Sequence, residues 1–213
     1  MTKTIYVLAL SILFLSACKN DKKPSESSEA PAQEMHMEEA GGHDHGGHDH
    51  DASIGESSSK EDRTITATTE KNSATSEIID GYLQLKNALA DDSQDDAAKA
   101  GTAILTAFSN FDMTKLTDAQ HKEYMEIVEN AKEQAEHIVK SPIDHQREHF
   151  EVLSNDVNDL IALLGTDKTL YETFCPMYNN KKGAIWLSET DEIKNPFLGS
   201  KMLTCGKVQK QIN

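Results

Sequence analysis

Four stretches of the chain repeat apolar residues every three to four positions. Ile78, Tyr82, Leu85 and Leu89 form the first stripe. Ala97, Ala100, Gly101, Ile104, Phe108 and Phe111 form the second, and Tyr124, Ile127, Val128, Ala131, Ala135 and Ile138 the third. The fourth is Ile143, Arg147, Phe150, Ser154, Val157, Ile161 and Leu164. That period matches one face of an α-helix. The residues between the stripes read as punctuation. Asp91-Asp92-Ser93 breaks the first helix and can cap the second. Thr117-Asp-Ala-Gln120 is a capping box. Ser141-Pro142 is an N-cap followed by proline at the first helical position, and Gly165 closes the fourth stripe. Short connections imply that successive helices run antiparallel. The pattern predicts an all-α fold, an up-down four-helix bundle, whose roughly 90 residues are enough for one core.

The flanks read differently. Residues 19–74 have no apolar periodicity, and Ile54 and Ile65 are their only large aliphatic residues. Such a stretch buries too little surface to offset its ordering entropy, which predicts a disordered tether rich in His, Ser and Glu. After Gly165, Leu170–Phe174 is a brief apolar run and Ala184–Leu187 reads as a short strand entered through Lys181-Lys182-Gly183. Asn195-Pro196 and Gly199 mark turns. The expected C-terminal part is therefore an irregular segment of short strand and turns packed on the bundle. The domain plan is a signal at 1–18, a linker at 19–74 and the bundle with its terminal motif at 75–213.

Lys3 precedes an apolar run from Ile5 to Leu15, which ends in Leu15-Ser16-Ala17-Cys18. The run is too short for a permanent span. The order of charge, apolar run and small residues looks like a bacterial lipobox, with Cys18 as the lipidated residue. The competing reading is an ordinary secretory signal with a chance cysteine. An acylated Cys18 would make the membrane a partner and the protein a cell-envelope lipoprotein facing the periplasm, in the inner or the outer membrane.

The formal charge is -15. Residues 76–164 carry 7 Lys and Arg against 18 Asp and Glu, while residues 165–213 carry 7 against 5. With no basic face to neutralise phosphates, nucleic acid is excluded as a partner. The chain also lacks a phosphate loop, a nucleophile elbow and a zinc-hydrolase pattern, so no enzyme activity is expected.

Candidate chemistry concentrates near the C-terminus. Cys175-Pro-Met177 and Met202-Leu-Thr-Cys205 flank Trp186, the one tryptophan of the chain. Thiolate and thioether sulfurs suit a polarizable monovalent ion, copper as Cu(I) or silver as Ag(I). Trp186 reads either as an apolar anchor or as a ring over the bound cation. The alternative for the cysteines is a Cys175–Cys205 disulfide with the methionines as core fillers, since exported cysteines usually pair. It would close a loop of about 30 residues, worth roughly 3 to 4 kcal/mol. A second candidate is the tract of His36, His43, His45, His48 and His50, with Met35 and Met37 beside it. Its imidazoles suit Cu, Zn or Ni and make a flexible chelator. His145 and His149 share one helical face; such a pair can bind Zn or Cu, but with no Glu after the first it is no zincin motif. The favoured reading is a solvated helix face, with the lone His121 and His137 also expected on the surface. Arg147 lies on an apolar stripe, where its stem would pack while its head reaches an acid at the bundle end, or where a buried ion pair would fix register.

The stretch from about Ile78 to Val208 resembles a domain-of-unknown-function family found in envelope lipoproteins of Gram-negative bacteria. The residues carrying the resemblance are Arg147-Glu-His-Phe150 with Ser154, Tyr171, Cys175-Pro-Met177, Trp186-Leu-Ser188, Ile193, Asn195-Pro-Phe197 with Gly199, and Met202-Leu-Thr-Cys205-Gly206. Phe197-Leu198 stands where that family often has Tyr-Phe. Related domains are fused to periplasmic adaptor subunits of copper/silver RND efflux pumps. The resemblance thus implies copper rather than zinc as the metal and an RND-type efflux complex as a partner.

Overall fold

The computed structural model describes residues 65 and 67–213. Cys18 and the tract histidines His36, His43, His45, His48 and His50 lie outside the described residues. The described part falls within one compact unit, Glu56–Asn213.

Four long helices follow the four stripes: α1 (Ser76–Ala90), α2 (Gln94–Asn110), α3 (Asp118–Lys140) and α4 (Ile143–Leu164). Each packs on the next, and the stripe residues line their shared core. The Thr117 hydroxyl accepts from the Gln120 N–H while the Gln120 side chain accepts from the Thr117 N–H, which completes the capping box. Two other caps differ from expectation. Ser93 points its hydroxyl at Asp96 Oδ2 instead of capping a backbone N–H. Pro142, not Ser141, holds the cap position of α4, and the first free N–H, that of Ile143, is taken by Gln94 Oε1 at 3.2 Å. A side chain from α2 does the work that local sequence could not.

The segment after α4 corrects the all-α expectation. Strands β1 (Leu170–Cys175), β2 (Ala184–Ser188) and β3 (Lys207–Ile212) form an antiparallel sheet in the order β2-β1-β3. β3, Lys-Val-Gln-Lys-Gln-Ile, is exposed along almost its whole length and has no apolar face. Besides its backbone pairing with β1 it is held by Lys210, which reaches Glu172 Oε2 at 3.0 Å, and by Ile212 at its end. It therefore carries too short a hydrophobic period to read, and its lysines blunt a free edge. In β1, an irregularity between Glu172 and Thr173 breaks the two-residue alternation.

The end of the stretch read as a tether is hydrogen-bonded. The last carbonyls of a helix have no partner within it. Here Thr68 N–H donates to Ala162 O, Asn72 Nδ2 to Leu164 O and Thr75 Oγ1 to Gly165 O, at 2.8, 2.9 and 3.0 Å.

Three buried polar side chains tie the terminal segment to the helices. The Tyr82 hydroxyl accepts from the Leu187 N–H at 3.0 Å and lies 2.9 Å from Ser154 Oγ. Lys86, 2% exposed, reaches Glu189 Oε2 at 3.1 Å and Ser188 Oγ at 3.5 Å. Arg147 donates from Nε to Pro196 O and from Nη2 to Leu89 O and Asp92. Its head thus reaches an acid, Asp92, just past the end of α1, and two carbonyls besides.

Candidate functional site

Cys175 is the last residue of β1 and is fully buried, opposite Ala184 of β2. Cys205 comes from the loop before β3, and Asn195 places it. The buried Asn195 side chain accepts from the Phe197 and Leu198 N–H groups at 2.8 and 3.0 Å, which shapes the turn over Pro196. Its Nδ2 donates to Cys205 O at 2.6 Å, and its own N–H donates to Leu203 O at 2.8 Å. Gly206 then passes against the tryptophan. A Cβ there would stand 2.7 Å from Trp186 Cη2, and φ is +149°, so glycine is required.

These contacts leave Cys175 Sγ and Cys205 Sγ 3.3 Å apart, both as free thiols. Burial, then the neighbouring Cys175, pushes the Cys205 thiol up, while the Met177 N–H opposes this. A soft ion entering here must therefore displace a proton from Cys205. Met202 shares the tight turn of Cys205, whose N–H donates to Met202 O at 3.0 Å. Met177 follows Cys175 by two residues, and both methionine side chains are about half exposed. Trp186 is buried, with its ring centroid 6.0 Å from that of Phe197 and its indole N–H without a partner. The structure therefore joins the two cysteines, sets both methionines beside them in the chain, and puts the Trp186 ring edge against the residue after Cys205.

A second cluster adds a third member to the histidine pair of α4. His137 of α3 and His145 and His149 of α4 each offer a ring nitrogen within 4.8 Å of the others. His145 Nε2 and His149 Nε2 are 3.1 Å apart, and the His137 ring stacks on that of His149 with centroids 4.4 Å apart. Burial, then His137 and His145, holds His149 down to about 4, so its ring is neutral at pH 7. The pair on α4 and the surface positions of His137 and His145 are as expected; the expectation of a lone His137 is corrected, because it joins the pair. A signal was present: His137 stands three residues before the end of α3, and a two-residue link folds α4 back beside it.

Residues 78–169 match a family of proteins of unknown function, DUF3347. No curated protein and no solved structure matches the chain. The DUF3347 region spans α1 to α4 and stops immediately before β1. The histidine cluster lies inside it and the sulfur pair beyond it. Among the described residues, no helix is long and apolar enough to cross a membrane.

Proposed function

We propose that the chain is a lipid-anchored envelope protein that captures Cu(I) or Ag(I) for tolerance or for transfer to an RND-type efflux complex. The anchor is Cys18, and the scaffold is an up-down helical bundle carrying the small sheet. The observation that carries this reading is the contact of two free thiols, 30 positions apart in sequence, 3.3 Å between sulfurs. Cys175 and Cys205 would hold the ion as thiolates, and the half-exposed Met177 and Met202 offer thioethers on the solvent side, a donor set that favours a soft monovalent ion. Trp186 would border the bound cation through its ring.

The test is titration of the reduced full chain with Cu(I) against a competing chelator. The expected result is one tightly held ion and quenching of Trp186 fluorescence. Both should be lost in Cys175→Ser and Cys205→Ser, and affinity should fall about tenfold or more in the Met177→Leu, Met202→Leu double variant, whose volume is nearly conserved. Binding indifferent to all four substitutions would end the proposal. The same contact favours a second reading, a disulfide-stapled module that binds an envelope partner, because two sulfurs already touching need only a small shift to bond. Counting free thiols on the exported protein separates the two: none for the staple, two for the metal site.

A further inference from the structure

Hydrogen bonds decide which nitrogen of each α4 histidine carries its proton. His145 Nδ1 lies 2.5 Å from Glu148 Oε2. An ionised carboxylate only accepts, so Nδ1 is the donor, and in the neutral ring Nε2 keeps its lone pair. His149 is fixed by a longer relay. Asn130 Nδ2 donates to Asp156 Oδ2 at 2.7 Å, leaving Asn130 Oδ1 to accept from Gln134 Nε2 at 3.2 Å. The Gln134 amide is thereby oriented, and its Oε1 faces His149 Nδ1 at 2.7 Å. His149 also donates from Nδ1 and keeps a lone pair on Nε2. Two Nε2 lone pairs consequently face each other across 3.1 Å, with the ring planes 85° apart. Two acceptors at that distance repel unless something positive lies between them.

We infer that His137, His145 and His149 bind a first-row divalent cation of borderline softness, Zn2+ or Cu2+, on the α3–α4 face. The spacing suits it. Imidazole nitrogens about 2.1 Å from one ion stand about 3.0 Å apart at a right angle and about 3.4 Å apart at the tetrahedral angle. The observed 3.1 Å falls between those values. Partners on the far nitrogens, a carboxylate on His145 and an amide on His149, are the outer hydrogen bonds that orient metal-bound histidines. His137 is exposed and stacked, so it joins as third ligand by turning its ring about its own side-chain bonds. The exposure of His137 and His145 leaves a further position open to water or to an incoming ligand. The acidic balance of residues 76–164 favours any cation there. This site shares no residue with the sulfur pair and stands whether or not that pair binds copper.

The test uses the full chain with His36, His43, His45, His48 and His50 each replaced by glutamine, which silences the tract. Zn2+ is titrated against a chromophoric chelator, and Co2+ serves as a spectroscopic stand-in. The expected result is one equivalent of Zn2+. Affinity should fall at least tenfold in His145→Gln and in His137→Gln, both at exposed positions where the fold is safe. Glu148→Gln should weaken binding by about tenfold, the usual effect of removing an outer partner. Bound Co2+ should show d–d bands without thiolate charge transfer, and Cys175→Ser should leave the titration unchanged. Zn2+ uptake indifferent to His145→Gln and His137→Gln would overturn the inference, leaving a pair of imidazoles that share a proton. Cobalt bands with thiolate character, lost in Cys175→Ser, would overturn it too by assigning the ion to the sulfurs.

Discussion

Asp92 stands where α1 ends, the Arg147 guanidinium arrives and the turn at Gly199–Ser200 passes. It has a φ of +57°, which aspartate tolerates, and it accepts from the Ser200 N–H at 3.0 Å and from Arg147. Hydrogen bonding from Ser200, then from Arg147, holds its carboxyl down at about 2, against 3.8 for a free one. Between those two values the unfolded chain binds more protons than the folded one, so stability falls as pH falls through the window. The contribution is fully present above the unfolded value. Asp92→Asn keeps the backbone conformation, since asparagine also accepts positive φ. The variant should be less stable than the parent at pH 7, and the gap should close as pH approaches 2. Denaturant midpoints measured at pH 7, 4 and 2.5 would show it; a gap that stays constant with pH would mean that the Asp92 charge contributes nothing.

At the scale of elements, Asn195 is the residue on which the sulfur contact depends. Asn195→Ala removes three side-chain hydrogen bonds within a buried turn and leaves Cys205 O without its donor. The expected cost is about 1 to 3 kcal/mol. Because the same change frees the Cys205 loop, disulfide formation under mild oxidant should slow, whereas Cys175 should remain buried. Unfolding curves and thiol-loss rates read the two effects separately. The helices were legible beforehand because each has its own apolar stripe and stop signals, down to the capping box at Thr117. β3 was not, since an exposed edge strand such as Lys-Val-Gln-Lys-Gln-Ile satisfies its backbone without any buried face. Cys175 and Cys205 were legible as candidates by residue type. Their meeting was legible too, since a disulfide and a metal site both require it and Asn195-Pro196 lets the chain turn back. What brings it about was not, because it rests on the Asn195 side chain reaching ten residues ahead. The histidine cluster was missed for a related reason: the pair on α4 shows in the spacing, but the third member depends on how α3 and α4 are rotated against each other.

For the whole molecule, metal binding should divide into regions with different chemistry. The histidine tract, outside the described residues, should hold Cu(II) or Zn loosely and release it below about pH 6, where imidazoles protonate. Deleting residues 35–51 should remove that loose fraction and leave the unfolding midpoint of the folded unit unchanged within about 1 °C, because a polar tract contributes no core. Equilibrium dialysis and a thermal melt suffice, and an unaltered loose fraction would refute the chelator role.

The side chains of Tyr82, Lys86 and Arg147 carry a consequence about where this protein begins and ends as a physical object. All three lie within residues 78–169, yet Leu187, Ser188, Glu189 and Pro196, which satisfy them, lie beyond. Excising the helices at the limit of the likeness would leave a lysine that is now 2% exposed without its counter-charge and a buried phenol without its N–H donor. The same cut strips Leu170, Trp186, Leu187 and Phe197 from the core they share with the helices and returns apolar surface to water. The stretch that matches the family of unknown function and the stretch expected to stand alone in water are therefore not the same length, and the limit of the likeness runs through the middle of a single folded body.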